Sequence, residues 1–271
     1  MKAPQLSTTA PGATGSDPKA PARRPCRAML IAGGQYHDID HARLALLAML
    51  AERPFVRTRV ESGYDALDAL ASADCLVTYT CNLAPDASGV ASITSFLQRG
   101  GRWLALHGTN SLLAQNEAGR WYAPEDVSGF MQLLGSQFAA HPPIAPYEVK
   151  TRKADDPLVA GIGDFLVEGG DELYYVRRFG EIDVVLEAAA QGPAKGFVER
   201  DWPAADRHPV LYRKKVGAGE IVYFTLGHRR GHYDMAPLMA YYPAIEKGAW
   251  EERPYVDILN RCLDWAIRAE G

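Results

Sequence analysis

Apolar residues fall into short runs separated by glycine, proline and polar turns, and the spacing within the runs alternates between continuous and helical. Residues 28–32 form a continuous apolar run ending in Gly33-Gly34, the pattern of a strand buried on both faces. HARLALLAMLAER follows, with Asp40 as the predicted N-cap and Leu44, Leu47 and Ala51 repeating at helical spacing. A second strand is predicted near residues 55–60, a helix over 64–71 and a third strand over 74–79. Pro85 opens a helix with Val90, Ile93 and Leu97 on one face, and Gly100-Gly101 closes it. Residues 102–107 are the fourth strand, with Gly108 at its exit.

The middle of the chain is less regular. Residues 120–165 are rich in proline, glycine and aromatics, with a helix expected over 125–134 and a strand over 147–151. Further strands are expected over 173–176, 184–188, 210–213 and 220–226, with Gly217 and Gly219 marking a hairpin turn. A last helix places Val256, Leu259, Leu263 and Ala266 on one face. The β-α alternation over the first part predicts an α/β fold, a doubly wound, mostly parallel sheet with helices on both faces. The strands at 28–32, 74–79 and 102–107 are then adjacent and parallel. No internal repeat and no heptad pattern is visible.

Composition narrows the class. The chain has 271 residues, 47% hydrophobic and 23% charged, and its 29 basic and 33 acidic side chains leave a formal charge of −4. Residues 26–271 suffice for a single α/β domain with its own core. Lys and Arg do not cluster, which argues against nucleic acid as a partner. No run approaches the roughly 18 apolar residues of a membrane span, so no membrane partner is expected. Cys26, Cys75, Cys81 and Cys262 form no CxxC and read as reduced thiols of a cytoplasmic protein. Residues 1–25 hold five of the 18 prolines and no apolar stretch of a secretory signal, and read as a disordered tail. Whether the chain forms a homo-oligomer is left open by the sequence.

In open α/β sheets ligands bind beyond the carboxyl ends of the strands. Four predicted strands exit into Gly33-Gly34-Gln35-Tyr36-His37-Asp38, Thr80-Cys81-Asn82, His107-Gly108-Thr109-Asn110 and Gly227-His228-Arg229-Arg230-Gly231-His232. Three of the four carry a histidine, from only seven in the chain. His37, His107 and His228 are therefore candidates to converge on one pocket. Asp171-Glu172 precedes another strand, and adjacent carboxylates on extended chain point to opposite faces. One of the two is expected in the cleft, the other paired with Arg177 or Arg178. The pairs His37/His41 and His228/His232 have the i, i+4 spacing of a metal pair on a helix, but Gly231 opposes a helix in the second and neither has the Glu of HExxH. The sequence lacks GxGxxG after the first strand and GxxxxGK[ST] anywhere, which disfavours a nucleotide cofactor.

The order and spacing of several segments resemble the ThuA-like, or trehalose-utilisation, family over roughly Met29 to Ile267. These are LIAGGQYHD, SITSFLQRGGRWLALHG, FAAHPP, DDPLVAGIGDFLVEGGDELYYV and KVGAGEIVYFTLGH. The resemblance implies the flavodoxin-like fold of class I glutamine amidotransferase domains. Those enzymes carry a cysteine in a Gly-x-Cys-x-Gly elbow and a His-Pro-Glu motif after a late strand. Here Ala105-Leu106-His107-Gly108-Thr109 resembles the elbow without the cysteine, and Leu226-Gly227-His228-Arg229-Arg230 resembles the second site without Pro and Glu. Glutamine hydrolysis through a thioester is thereby excluded, and Cys75 and Cys81, lying off the elbow, are expected to be dispensable.

The resemblance further implies carbohydrate metabolism, with trehalose-like disaccharides or their 3-keto forms as associated substrates. A small-molecule carbohydrate is thus the expected partner. His107, His228, His37, Glu172 and Asp171 are the candidate catalytic set, because neutral imidazoles and carboxylates suit acid–base work. Gly34, Asp38, Asn82, Thr109, His141, Tyr174, Arg229 and His232 are the candidate binding residues around them. The same side chains suit either proton transfer, the favoured reading, or a mixed nitrogen–oxygen site for a divalent metal such as zinc. A 3-keto sugar has an acidic C–H beside its carbonyl, so a base can start an elimination that expels the glycosidic group. Three readings stand at this point: a lyase or hydrolase acting on a sugar, a hydrolase of another small molecule, and a non-catalytic sugar-binding module.

Overall fold

In the computed structural model, which describes residues 24–269, the first half of the chain winds as the apolar pattern predicts. Strand β1 (Cys26–Gly34) leads into α1 (Ile39–Ala51), then β2 (Val56–Glu61), a single 3-10 turn at Leu67–Ala71, and β3 (Cys75–Cys81). Helix α2 (Ala87–Gln98) connects to β4 (Arg102–Leu106), which exits into a 3-10 turn at His107–Asn110. A short pair, β5 (Ala114–Gln115) and β6 (Trp121–Tyr122), precedes α3 (Phe130–Leu134) and β7 (Ser136–Ala140). Strands β8 (Ala145–Thr151), β9 (Phe165–Asp171), β10 (Tyr175–Arg178), β11 (Asp183–Ala189), β12 (Arg207–Val216) and β13 (Gly219–Phe224) follow. The chain closes with a 3-10 turn at Gly248–Glu251 and α4 (Arg253–Ala266).

Nine strands form one sheet in the order β2-β1-β3-β4-β13-β12-β11-β8-β9. The pairings from β2 to β13 are parallel, and those from β13 to β9 are antiparallel. Four successive reversals return β9 to the direction of β13, so only β12 and β8 oppose the other seven. β1, β3 and β4 are adjacent and parallel, as the sequence implies. Their alternate residues serve two cores. Ala28, Leu30, Val77 and Leu104 pack with α1 and α4, while Met29, Ile31, Leu76 and Trp103 pack with α2 and α3. All seven residues of β3 are buried, which explains its largely apolar run; its two threonines are paired inside, Thr78 with Thr109 and Trp103 and Thr80 with Tyr64.

Several local expectations need correction. Asp38, not Asp40, caps α1, accepting a bond from the His41 N–H at 3.0 Å. The buried face of α1 is Ala42, Leu46 and Leu50, and Leu44 is exposed, because a helix apolar nearly all round does not declare its inner face. The helix expected over 64–71 is one 3-10 turn, and the one over 125–134 is helical only at Phe130–Leu134. There Asp126 accepts from the backbone N–H groups of Ser128 and Met131, holding residues 126–129 out of the helix. Strands β7 and β9 have no counterpart in the sequence reading. The expected tail over residues 1–25 lies outside the described residues apart from Arg24 and Pro25, and Arg24 is paired with Asp74 at 2.7 Å.

The chain goes from β1 to β2 on one side and returns to β3 on the other, so the strand order reverses between β1 and β3. Ligands gather at such a reversal, beyond the carboxyl ends of the strands. β9 reaches the same place from the far edge. A flat sheet would set it roughly 19 Å from β13, four spacings of about 4.8 Å. Yet Asp171 at its end accepts from the backbone N–H groups of Gly227 and His228 just past β13, so the antiparallel half curls back over the parallel half.

Candidate functional site

Each strand exit turns sharply before it presents a side chain. Tyr36 after β1, Asn82 after β3 and His107 after β4 all have positive φ (69°, 52° and 40°), a region that non-glycine residues seldom adopt. At β4 the turn is as tight as the elbow resemblance implies: a Cβ on Gly108 would lie 2.6 Å from the Thr80 carbonyl. Such strain gathers at functional sites. The His107 backbone is held here because its carbonyl accepts from the Tyr223 hydroxyl.

Three histidines and one carboxylate meet at this point, all buried. His107 Nε2 lies 2.8 Å from His37 Nε2, and Tyr174 donates its hydroxyl to His107 Nε2 at 3.1 Å. Glu172 Oε2 stands 3.5 Å from His37 Nε2 and 3.6 Å from His107 Nε2. Glu172 Oε1 is 3.2 Å from His228 Nδ1 and 3.5 Å from His141 Nε2. The sequence expectation that His37, His107 and His228 converge with one of the two carboxylates describes this arrangement.

The outer nitrogens fix the ring orientations. His107 Nδ1 donates to the Thr225 carbonyl at 2.8 Å, and His37 Nδ1 faces the Gln35 carbonyl at 3.4 Å. Carbonyls only accept, so the protons are assigned to Nδ1 and the Nε2 lone pairs face inward. His228 is the reverse. Its Nε2 donates to Glu246 Oε2 at 2.8 Å, and Nδ1 points inward, out of line for a hydrogen bond to Glu172 and without any other partner among the described residues. Arg230 binds Glu246 at 2.7 Å and approaches Glu172 at 3.4 Å.

Burial and charge pull these groups apart. Burial, together with the neighbouring His107, lowers His37 to about 3. Burial opposes the charged ring of His228 too, but Glu172 and Glu246 outweigh it and raise that ring to about 9. Glu172 is held well below the usual carboxylate range, because the His228 and His141 rings outweigh its burial. Asp171 is raised by burial.

His37 and Glu172 of the cluster line the floor of a cleft of about 350 Å³, with His107 and His228 fully buried behind them. Tyr36, Trp121, Phe138, Phe197 and Tyr242 wall it, and Ser111, His141, Lys195 and Arg230 supply polar groups. The Tyr36 and Trp121 rings meet edge to face at 5.4 Å, as do Phe138 and Phe197 at 5.6 Å. Cys81 also borders the cleft, but burial raises its thiol far above the range in which a thiolate forms. All four cysteines are buried, and none forms a disulfide among the described residues.

The remaining sequence candidates divide cleanly. His141 and Tyr174 line the cleft. Asp171 is not paired with Arg177 or Arg178: its carboxylate accepts from the backbone N–H groups of Gly227, His228 and Ala249 and serves the loop architecture. Arg177 pairs with Glu199, and Arg178 with the Arg207 carbonyl. Gly34 permits close approach of β1 to β3, since a Cβ there would lie 1.9 Å from the Cys81 carbonyl. Asp38 caps α1, Asn82 ties Gln35 to Leu113, and Thr109 is spent on the carbonyls of Thr78 and Leu106. Arg229 lies near Asp38 at 3.9 Å, and His232 stacks on Tyr241 and bonds the Tyr242 carbonyl. None of these six lines the cleft. Glu246, Arg230 and Tyr242 were missed as a group. They come from the loop between β13 and the Gly248–Glu251 turn, which has no periodicity, and only the acidic Glu246 in an aromatic stretch offered a signal.

Residues 27–242 match the family described as ThuA, trehalose utilisation. The chain belongs to that family. Family membership gives it a role in carbohydrate metabolism related to trehalose utilisation. The fold is shared by a ThuA-like protein from Bacteroides uniformis, at 13% identity and a TM-score of 0.62, covering 93% of this chain and 95% of that one. A ThuA-like protein from Parabacteroides merdae matches at 16% identity and a TM-score of 0.60, covering 91% of each chain. No curated protein matches the sequence. The family's α/β, flavodoxin-like architecture is the one observed, and among the described residues no helix is long and apolar enough to cross a membrane.

Proposed function

We propose that this ThuA-family chain acts on a glycoside in its 3-keto form by proton abstraction and elimination. The observation that supports it is the delivery of His37, His107, His228 and Glu172 from four separate strand ends to one cluster, of which His37 and Glu172 open onto an aromatic-walled cleft. Its volume is at the small end of the ~300–1,000 Å³ of small-molecule sites, which suits one sugar ring with its second ring toward the mouth. Aromatic faces pack on the C–H faces of a pyranose, while Lys195 and Arg230 meet its hydroxyls.

His141 is the base in this reading. Its Nδ1 bonds the Pro142 carbonyl at 2.7 Å, leaving the Nε2 lone pair in the cleft, and it is only partly buried. The three buried histidines have both nitrogens engaged in or facing the cluster. Nε2 takes the proton from C2 of the 3-keto sugar, and Glu172 at 3.5 Å steadies the imidazolium. The electron pair moves into the C2–C3 enolate and then expels the glycosidic oxygen from C1. The proton on His141 is available to the departing oxygen. Tyr174, kept protonated by burial, turns its one proton from His107 Nε2 toward the enolate oxygen.

The test is a panel of glycosides and 3-keto-glycosides followed by mass spectrometry. Release of the leaving sugar from keto forms alone is expected. His141→Gln should lower kcat by about 10²-fold or more, the usual weight of a general base, with KM little changed. Turnover of amides or esters, or unaltered kcat in His141→Gln, overturns the reading.

A further inference from the structure

The four inward-facing atoms of the cluster are all of the kind that ligate a metal. His37 Nε2 and His107 Nε2 present lone pairs, Glu172 adds a carboxylate, and His228 Nδ1, protonated beside Glu172 and Glu246, becomes a ligand when an ion displaces its proton; all four ligand atoms lie within 4.8 Å of one another. Lone pairs that face one another at 2.8 Å repel unless something positive lies between them. Between these two nitrogens themselves the described residues place no charged group. Tyr174 donates to one nitrogen, Arg230 stands at the rim, and His228 Nδ1 has no hydrogen bond among the described residues. A buried polar atom left unpaired in this way is costly.

We propose that His37 Nε2, His107 Nε2, His228 Nδ1 and Glu172 bind a divalent first-row metal ion. The donor set of three imidazoles and one carboxylate is typical for zinc and for ferrous or manganous ions. The spacing also fits. Ligands about 2.0–2.1 Å from a shared ion in tetrahedral geometry sit roughly 3.3 Å from each other. Separations of 2.8, 3.2, 3.5 and 3.6 Å, counting both oxygens of Glu172, lie around that value, and the widest spacing, within 4.8 Å, calls for a small inward shift of the side chains on binding. The second requirement is met as well. Each ligating ring is oriented by a partner on its other nitrogen: Thr225 for His107, Gln35 for His37, and Glu246 for His228. Among the described residues this is the one group of such side chains so placed. Glu246 is then a positioning residue, acting through His228.

The inference concerns the site of the proposed elimination but does not depend on the substrate. The test uses the full chain, stripped with a chelator and then incubated with Zn²⁺ alone. Metal content is measured after desalting, and a parallel Co²⁺ titration is followed by its visible absorption. About one equivalent of zinc, a raised melting temperature and ligand-field bands from cobalt are expected. Glu246→Gln, folded, should bind zinc roughly 10–100-fold more weakly, the cost of removing such an outer partner. Glu172→Gln and His37→Gln should lose most of the bound ion. Should the folded, stripped wild type take up neither zinc nor cobalt, or the two ligand variants keep a full equivalent, the proposal is overturned. Zinc binding without turnover of any keto-glycoside supports the metal site and removes the elimination.

Discussion

At position 172 the carboxylate faces three imidazoles, while at position 171 it accepts three backbone N–H bonds. Substitution separates the two uses. Glu172→Gln should still fold and should lose turnover. Asp171→Ala should unfold more easily by roughly 3 kcal/mol or more, since three buried donors are left bare at about 1–3 kcal/mol each. Urea melts and initial rates on the same preparations check both. Cys81→Ser should keep its rate within about tenfold, because the thiol stays protonated; a larger loss, about 1.4 kcal/mol of barrier, would restore a thiol mechanism.

His208 gives a pH prediction outside the site. Its ring stacks on Tyr175 and contacts Trp202, its Nδ1 accepts from the Val176 N–H, and its Nε2 has no partner among the described residues. Burial lowers it from 6.5 to about 4. Between those values the unfolded chain holds the extra proton, so this contribution to stability is full above pH 6.5 and lost as pH falls toward 4. His208→Gln should flatten that part of the melting temperature profile. An unchanged profile between pH 4 and 6.5 contradicts the assignment. The site histidines themselves were readable because topology places strand exits together. Trp121, Phe197 and Glu246 were not, because they arrive on irregular segments whose partners lie far away in the chain.

Among elements, the parallel strands carried the clearest signal. β1, β3 and β4 are buried on both faces, so their runs are largely apolar, and their neighbours follow from winding rules. Leu104 in β4 is fully buried in the core with α1 and α4. Leu104→Ala should cost about 2–5 kcal/mol in a denaturant melt, the usual range for such a cavity; a cost under half of that would show the core is looser than its burial implies. The antiparallel half was harder. β9 reads FLVEGGD, whose paired glycines suggest a turn, yet both lie in the strand, where Gly170 at φ 74° sits against Ala145. A Cβ there would meet the Ala145 backbone at 2.9 Å, so the glycine answers to a tertiary contact that local pattern does not reveal.

The whole molecule brings residues about 190 apart in the chain, from His37 to His228, into one cluster by curling β9 back over the ends of β1, β4 and β13. No segment shows this curl by itself. The two core clusters, one on each face, hold the parallel strands rigid, while the loop from Arg229 to Lys247 closes the cleft through the Arg230–Glu246 bridge. Rigid strand ends below and a bridged loop above are what preorganised chemistry needs. The account's central claim is loss of the C2 proton from a 3-keto-glycoside in this cleft. It is tested most directly with substrate deuterated at C2. The account predicts release of the leaving sugar with deuterium lost to solvent and a slower rate than for the protiated compound. Product that retains deuterium at C2, formed at an equal rate, would contradict it.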